Sequence, residues 1–171
     1  MLNSRLGTVS LRRYEMSDAA RLVELLDDFE VTKYTSSIPF PYSIDDAREF
    51  LVAARDEKGK MVHRAVVFEG QIAGGIGLGM RQLSENELGY WVGRDYWGKG
   101  IASSAVSTFI SLLDQLKISG SIDAQTAISN VASQRVLEKN GFVFSGAGQC
   151  QTPARESNSI PSRTYVLKRD Q

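Results

Sequence analysis

The chain has 171 residues, 42% of them hydrophobic, which is enough to close a core without help from metal or disulfide. Its 20 Lys and Arg cancel its 20 Asp and Glu, with no long run of either sign, so the electrostatic footprint of a nucleic-acid binder is missing. Cys150 stands alone and cannot form an internal disulfide. With no apolar leader at the start and no run of about eighteen apolar residues, the pattern predicts one soluble, cytoplasmic domain over 1–171, without membrane, nucleic-acid or metal partners.

In chain order, "TVSLRRY" (8–14) alternates as a strand. "SDAARLVELLDDF" (17–29) has helical spacing at Ala20, Leu22 or Val23, and Leu26, behind Ser17 as the expected cap. Pro39 and Pro41 exclude a continuous helix from the aromatic stretch 31–43, which reads as a loop. Ser43 and Asp46 form a capping-box pattern ahead of a helix with Ala47, Phe50, Leu51 and Ala54 on its apolar face, ending at Gly59. Three antiparallel strands follow: "HRAVVFE", a tight turn at Gly70-Gln71, "IAGGIGLGM", then "NELGYWVG". Gly74, Gly75, Gly77 and Gly79 weaken the middle strand unless something packs closely on it. A helix from 101 to about 117, a strand at "GSIDAQT", a helix at "NVASQRVLEKNG" and strands "FVFSG" and "RTYVLK" complete the pattern. The polar tract 146–162 reads as a surface loop.

"GRDYWGKGIA" (93–102) nearly spells a P-loop, but Gly100 stands where a magnesium-binding hydroxyl belongs. Tyr96 and Trp97 add bulk where such a loop would curl round a phosphate, and the strand before it belongs to an antiparallel run. Between a strand and a helix N-terminus, the loop nevertheless directs backbone amides at an anion, with Gly98 and Gly100 removing β-carbons and Ala102 keeping the first turn slim. The competing reading is a turn that merely joins the two elements.

"NVASQRVLEKNGF" (130–142) follows about thirty residues later, and the two motifs together resemble the GNAT acyltransferase superfamily. The wording of "ELGYWVGRDYWGKGIA" and "IPFPYSIDDAREFL", and the order of elements from Val9 to Lys168, are most similar to the RimJ/RimL branch of ribosomal-protein N-acetyltransferases. The resemblance implies an α/β GNAT fold, a mixed, mostly antiparallel sheet of about six or seven strands flanked by helices. It further implies acetyl-CoA as co-substrate, no metal, and an amine acceptor that is either a protein N-terminus or a small molecule. The alternative within the same fold is a CoA-binding sensor without turnover, since Leu137 stands where many relatives carry a tyrosine that protonates the departing thiolate.

By the same resemblance, the cofactor contacts fall on Tyr90, Trp91, Val92, Gly98, Lys99, Gly100, Ile101, Ala102, Ser103 and Asn130, with strands ending near Val92 and Ala124 splaying apart to free backbone amides. Glu87 matches the branch's glutamate and is the candidate base, against a plain exposed charge on a strand; Ser133 is the candidate donor to the sulfur. Asn130 also suits an ordinary helix N-cap, and Tyr90, Trp91 and Phe109 suit the core. Arg135, Glu138 and Lys139 read as a solvated face. Tyr34, Phe40 and Tyr42 are the expected wall of the acceptor site. His63, with no acid beside it, reads as an edge or surface residue, and Cys150 has no partner that would make it a nucleophile.

Overall fold

The computed structural model describes residues 7–56, 61–79, 86–155 and 159–169. The elements are β1 (Val9–Arg12), α1 (Ala19–Leu26), α2 (Phe29–Thr32), α3 (Ile44–Arg55), β2 (Val62–Phe68), β3 (Gln71–Leu78), β4 (Glu87–Val92), α4 (Ile101–Gln115), β5 (Ile122–Ala127), α5 (Val131–Lys139), β6 (Val143–Gln151) and β7 (Ser159–Leu167). Among the described residues the strands form one 7-stranded sheet in the order β1-β2-β3-β4-β5-β7-β6. Every pairing is antiparallel except β4 with β5.

Side chains alternate across the sheet and feed two cores. One face carries Val62, Val66, Ile76, Leu78 and Leu88 against Ile101, Val106, Phe109 and Leu113 of α4, with Leu137 of α5. The other carries Ala65, Ile72 and Trp91 against Leu22, Leu25 and Leu26 of α1 and Ala47 and Leu51 of α3. The Ser43–Asp46 capping box forms as the pattern predicts, Ser43 Oγ accepting from the Asp46 amide at 3.1 Å and Asp46 from the Ser43 amide at 2.8 Å.

Several expectations need correction. Ser17 lies inside a 3-10 turn (Met16–Asp18) and caps nothing; α1 starts at Ala19 and stops at Leu26, because Asp28 caps a separate turn, α2, by accepting from the Glu30 amide at 2.9 Å. The buried side of α1 is Ala19, Leu22, Leu25 and Leu26, and Ala20 is exposed. The β2–β3 turn is centred on Glu69 and Gly70, both at positive φ (49° and 80°), so Gln71 already pairs with Phe68. The tract read as a surface loop is largely a hairpin, with β6 reaching Gln151 and β7 beginning at Ser159. Its pairing was invisible because β6 is an edge strand exposed on both faces for most of its length, which removes the apolar alternation that marks a strand. Pro161 fits within β7 because pairing with β5 ends one residue later, at Ala127↔Ser162. His63 is buried in β2, paired with Gly77 and edge-on to the Phe50 ring at 5.7 Å, and is no surface residue. The end at Gly59 lies outside the described residues; the helix runs to Arg55.

The glycines of β3 are there for close packing. A β-carbon on Gly75 would lie 2.4 Å from the Tyr14 hydroxyl and 2.6 Å from Trp91 Nε1, and one on Gly74 would lie 2.3 Å from the Trp91 carbonyl oxygen. Backbone cannot yield as a side chain can, so Gly74→Ala is expected to force β3 and β4 apart and to destabilise the protein by about 1–3 kcal/mol. Chemical denaturation of the two proteins checks this, and an unchanged midpoint would contradict the packing argument.

Candidate active site

Strands β4 and β5 pair only at Glu87↔Asp123 and Leu88↔Ala124. Both then continue, β4 to Val92 and β5 to Ala127, without further pairing. β5 instead follows β7 from Ile122↔Leu167 to Ala127↔Ser162. The expected splay is therefore present, opening beyond Leu88 rather than at the strand ends. The gap is the floor of a cleft of about 820 Å³, bounded by the first turns of α4 and α5 and by the segment 30–38.

The polar groups that the gap exposes follow from the ladder. Gly93 donates to Ala73 at 2.9 Å and Gly79 to Glu87 at 3.0 Å, so the odd-numbered residues of β4 direct their amides and carbonyls at β3. Tyr90 and Val92 direct theirs into the gap. One of these groups is taken within the chain, since the Trp97 indole N–H donates to the Val92 carbonyl at 2.7 Å. The β4 register runs unshifted from Leu88 to Val92, so side chains alternate cleanly. Glu87 and Trp91 share the α1–α3 face, whereas Leu88, Tyr90 and Val92 share the α4–α5 face. Glu87 is 4% exposed and lines the cleft, so it is not the exposed strand charge of the competing reading.

At the other wall, Asn130 caps α5 by accepting from the Ser133 amide at 3.3 Å. Ser133 Oγ lies 2.8 Å from the Tyr90 hydroxyl. Burial holds the Tyr90 phenol well above the ordinary tyrosine range, against a smaller opposite pull from that hydrogen bond. Leu137, one turn further along α5, is buried and offers the cleft no polar group. The loop before α4 has Gly98 and Gly100 at φ of 74° and 73°, a conformation that favours glycine, with open space where a β-carbon would project. Gly100 is the N-cap and offers no side chain, which leaves the first-turn amides of α4 directed at the cleft.

Of the expected cofactor contacts, Tyr90, Trp91, Val92, Gly98, Gly100, Ile101, Ala102, Ser103 and Asn130 line this cleft together with both proposed proton-handling residues, Glu87 and Ser133. Lys99 does not; its ammonium lies over the Tyr96 ring at 5.4 Å, beside a second hollow of about 330 Å³ on the outer side of α4. Arg135 and Lys139 are exposed, as a solvated face requires, yet they also line the cleft, and Lys139 borders the second hollow together with Gly100 and Ser103 at the α4 N-terminus. Their spacing from Asn130 was the available signal.

The aromatic wall divides. Tyr34 lines the cleft, between the Lys33 ammonium at 5.2 Å and the Arg155 guanidinium at 5.1 Å from its ring centre. Arg155 also donates to the Lys33 carbonyl at 2.8 Å, tying the segment after β6 to the cleft rim. Phe40 is on the outer surface against Phe29, with ring centres 5.5 Å apart. Tyr42 is buried in the α1–α3 core, which pushes its phenol up to about 12. Neither lines the cleft, because α3 begins at Ile44 and draws Tyr42 inward with it. Cys150 is buried and does not line the cleft.

Residues 8–143 match the family described as Acetyltransferase (GNAT) domain. A protein of Bacillus licheniformis named as an uncharacterized N-acetyltransferase, p20, is 29% identical over 144 residues, spanning 81% of this chain and 80% of its own. The structure of Mycobacterium smegmatis RimJ in complex with a CoA disulfide superposes with a TM-score of 0.81 at 20% identity, over 95% of this chain and 83% of that one. The ribosomal α-N-protein acetyltransferase RimL, in complex with coenzyme A, does so with a TM-score of 0.81 at 16% identity, over 94% of each chain. The parting of β4 from β5 above a glycine-led helix without a side-chain cap is thus accompanied by a match over most of the sequence, and the chain belongs to the GNAT acetyltransferase family.

Proposed function

We propose that this protein moves the acetyl group of acetyl-CoA to a primary amine, the acceptor being the α-amino group of a protein N-terminus of the ribosomal-protein type. The observation that carries the reading is the gap between β4 and β5, with Glu87 on one face of the sheet and Ser133 reaching it from the other. The first-turn amides of α4, with Arg135 and Lys139, suit the pyrophosphate, and the gap-facing Tyr90 amide and carbonyl and Val92 amide suit the amides of a pantetheine arm. Acetyl-CoA, when bound there, supplies an activated thioester.

The residues of this chain then divide the work. Glu87, on the α1–α3 side, takes the proton the amine must lose as its nitrogen bonds to the carbonyl carbon. Gap-facing backbone N–H groups stabilise the charge that develops on the carbonyl oxygen. Ser133 donates a hydrogen bond to the sulfur as the carbon–sulfur bond breaks. Among the described lining residues the carboxylates are Glu30 and Glu87, and Glu30 is already paired with Lys33. Glu87 is thus the carboxylate placed on the floor of the gap, and a single carboxylate there suits a single amine. The rim carries the uncharged residues Thr35, Ser36 and Ser37, where a polyamine would require a cluster of carboxylates.

Thiol release from acetyl-CoA, followed across N-terminal peptides and small amines, is expected to accelerate with peptides. Acceleration by small amines alone would move the acceptor to that class, and binding without release would favour a sensor. Glu87→Gln is expected to lower turnover by about 10²- to 10⁴-fold while acetyl-CoA affinity holds. Unchanged turnover would leave deprotonation to water or another group. Gly100→Ala puts a β-carbon on a residue at φ 73°, a strain of about 1 kcal/mol, and is expected to weaken acetyl-CoA binding by calorimetry while the fold survives. Undiminished affinity would remove this loop from the cofactor site.

A further inference from the structure

Where many relatives place a phenol on α5, this chain has Leu137, but a phenol reaches the same helix from the sheet. Tyr90 projects from β4 on the α4–α5 face, its hydroxyl 2.8 Å from Ser133 Oγ and 3.2 Å from the Ser133 carbonyl oxygen. We propose that Tyr90 is the positioning residue of the leaving-group step: its hydroxyl turns the Ser133 O–H toward the CoA sulfur. This rests on the functional reading above and adds a residue to it.

The two hydroxyls carry one proton each, which permits two arrangements. In one, Tyr90 donates to the Ser133 carbonyl and Ser133 donates to Tyr90, so the serine proton faces away from the cleft. In the other, Tyr90 donates to Ser133 Oγ and the serine proton is free to point at a sulfur. Changing from the first to the second costs little, because the Ser133 carbonyl lies inside α5, where the helix ladder also provides a donor. The Asn130 cap holds the Ser133 backbone still, so only protons move. Burial keeps the Tyr90 phenol neutral, which suits a fixed donor and not an acid that gives its proton away.

The balance is simple. The amine nitrogen bonds to the acetyl carbon and the carbon–sulfur bond breaks, its electron pair leaving on sulfur. The amine's proton goes to Glu87 and from there to solvent. The thiolate leaves with the Ser133 O–H directed at it and takes its proton from solvent, while Tyr90 and Ser133 end with the protons they started with.

Steady-state kinetics of the unsubstituted protein, Tyr90→Phe, Ser133→Ala and the double variant test this, using the acceptor found by thiol release. Tyr90→Phe is expected to lower kcat about tenfold, the worth of one oriented hydrogen bond, with the KM for acetyl-CoA and the melting temperature unchanged. The double variant is expected to be no slower than Ser133→Ala, since without the serine there is nothing to orient. Full activity in Tyr90→Phe, or losses that multiply in the double variant, would overturn the proposal while leaving the acetyl-transfer reading intact. An unsubstituted protein that binds acetyl-CoA yet acetylates no amine would overturn both.

Discussion

A sheet that stops pairing in its own middle is the constraint on which the rest of the molecule depends. Buried backbone donors and acceptors left without partners cost about 1–3 kcal/mol each, so a sheet closes wherever it can. Here it is kept from closing. β5 is committed to β7 along its length, and the Gln134 side chain of α5 donates to the carbonyls of Ala127 and Ile128 at 3.3 and 2.7 Å, holding the end of β5 toward the helix. Trp97 relieves part of the cost by donating to the Val92 carbonyl. The groups that remain at Tyr90 and Val92 line the cleft and can be matched by an extended ligand carrying amides of its own.

The gap also explains why the chemistry is divided between two faces. Strand alternation puts Glu87 with Trp91 and Tyr90 with Ser133, so the proposed base and the proposed leaving-group donor lie on opposite sides of one plane and do not compete for space. That arrangement needs β4 to be held rigidly from its other edge. The glycines of β3 provide this, letting Tyr14 and the Trp91 ring settle against the strand, while Arg21 bonds both the Ile72 carbonyl at 3.1 Å and the Tyr96 hydroxyl at 2.7 Å to tie α1 to β3 and the glycine loop. The fold and the site thus share the same residues.

What the sequence discloses tracks how local the cause is. Gly98 and Gly100 were legible because the missing β-carbon is a property of single residues, although their positive φ emerges only in the fold; Asn130 and the Ser43–Asp46 box were legible because caps act within one turn. The splay could be expected only through resemblance, since nothing in "ELGYWV" or "GSIDAQT" says where their pairing stops. The extension of β6 beyond Gly146 reads as loop because exposed edges lack alternation, and His63 was misplaced because one polar residue on an interior strand leaves no periodic trace. Phe40 and Tyr42 looked equivalent to Tyr34, yet the start of α3 carries Tyr42 into the core and leaves Phe40 outside. The Tyr90–Ser133 contact joins residues far apart in sequence and was beyond reach of any spacing rule.

The central claim is that β4 beyond Leu88 is a backbone docking edge for acetyl-CoA. Amide hydrogen exchange with and without the cofactor tests it most directly, because it reads those N–H groups themselves. Bound acetyl-CoA is expected to slow exchange at the Tyr90 and Val92 amides and in the first turn of α4, with little change in the β2–β3 ladder. Tight binding that leaves the amides of Tyr90 and Val92 exchanging at their free rate would contradict the account.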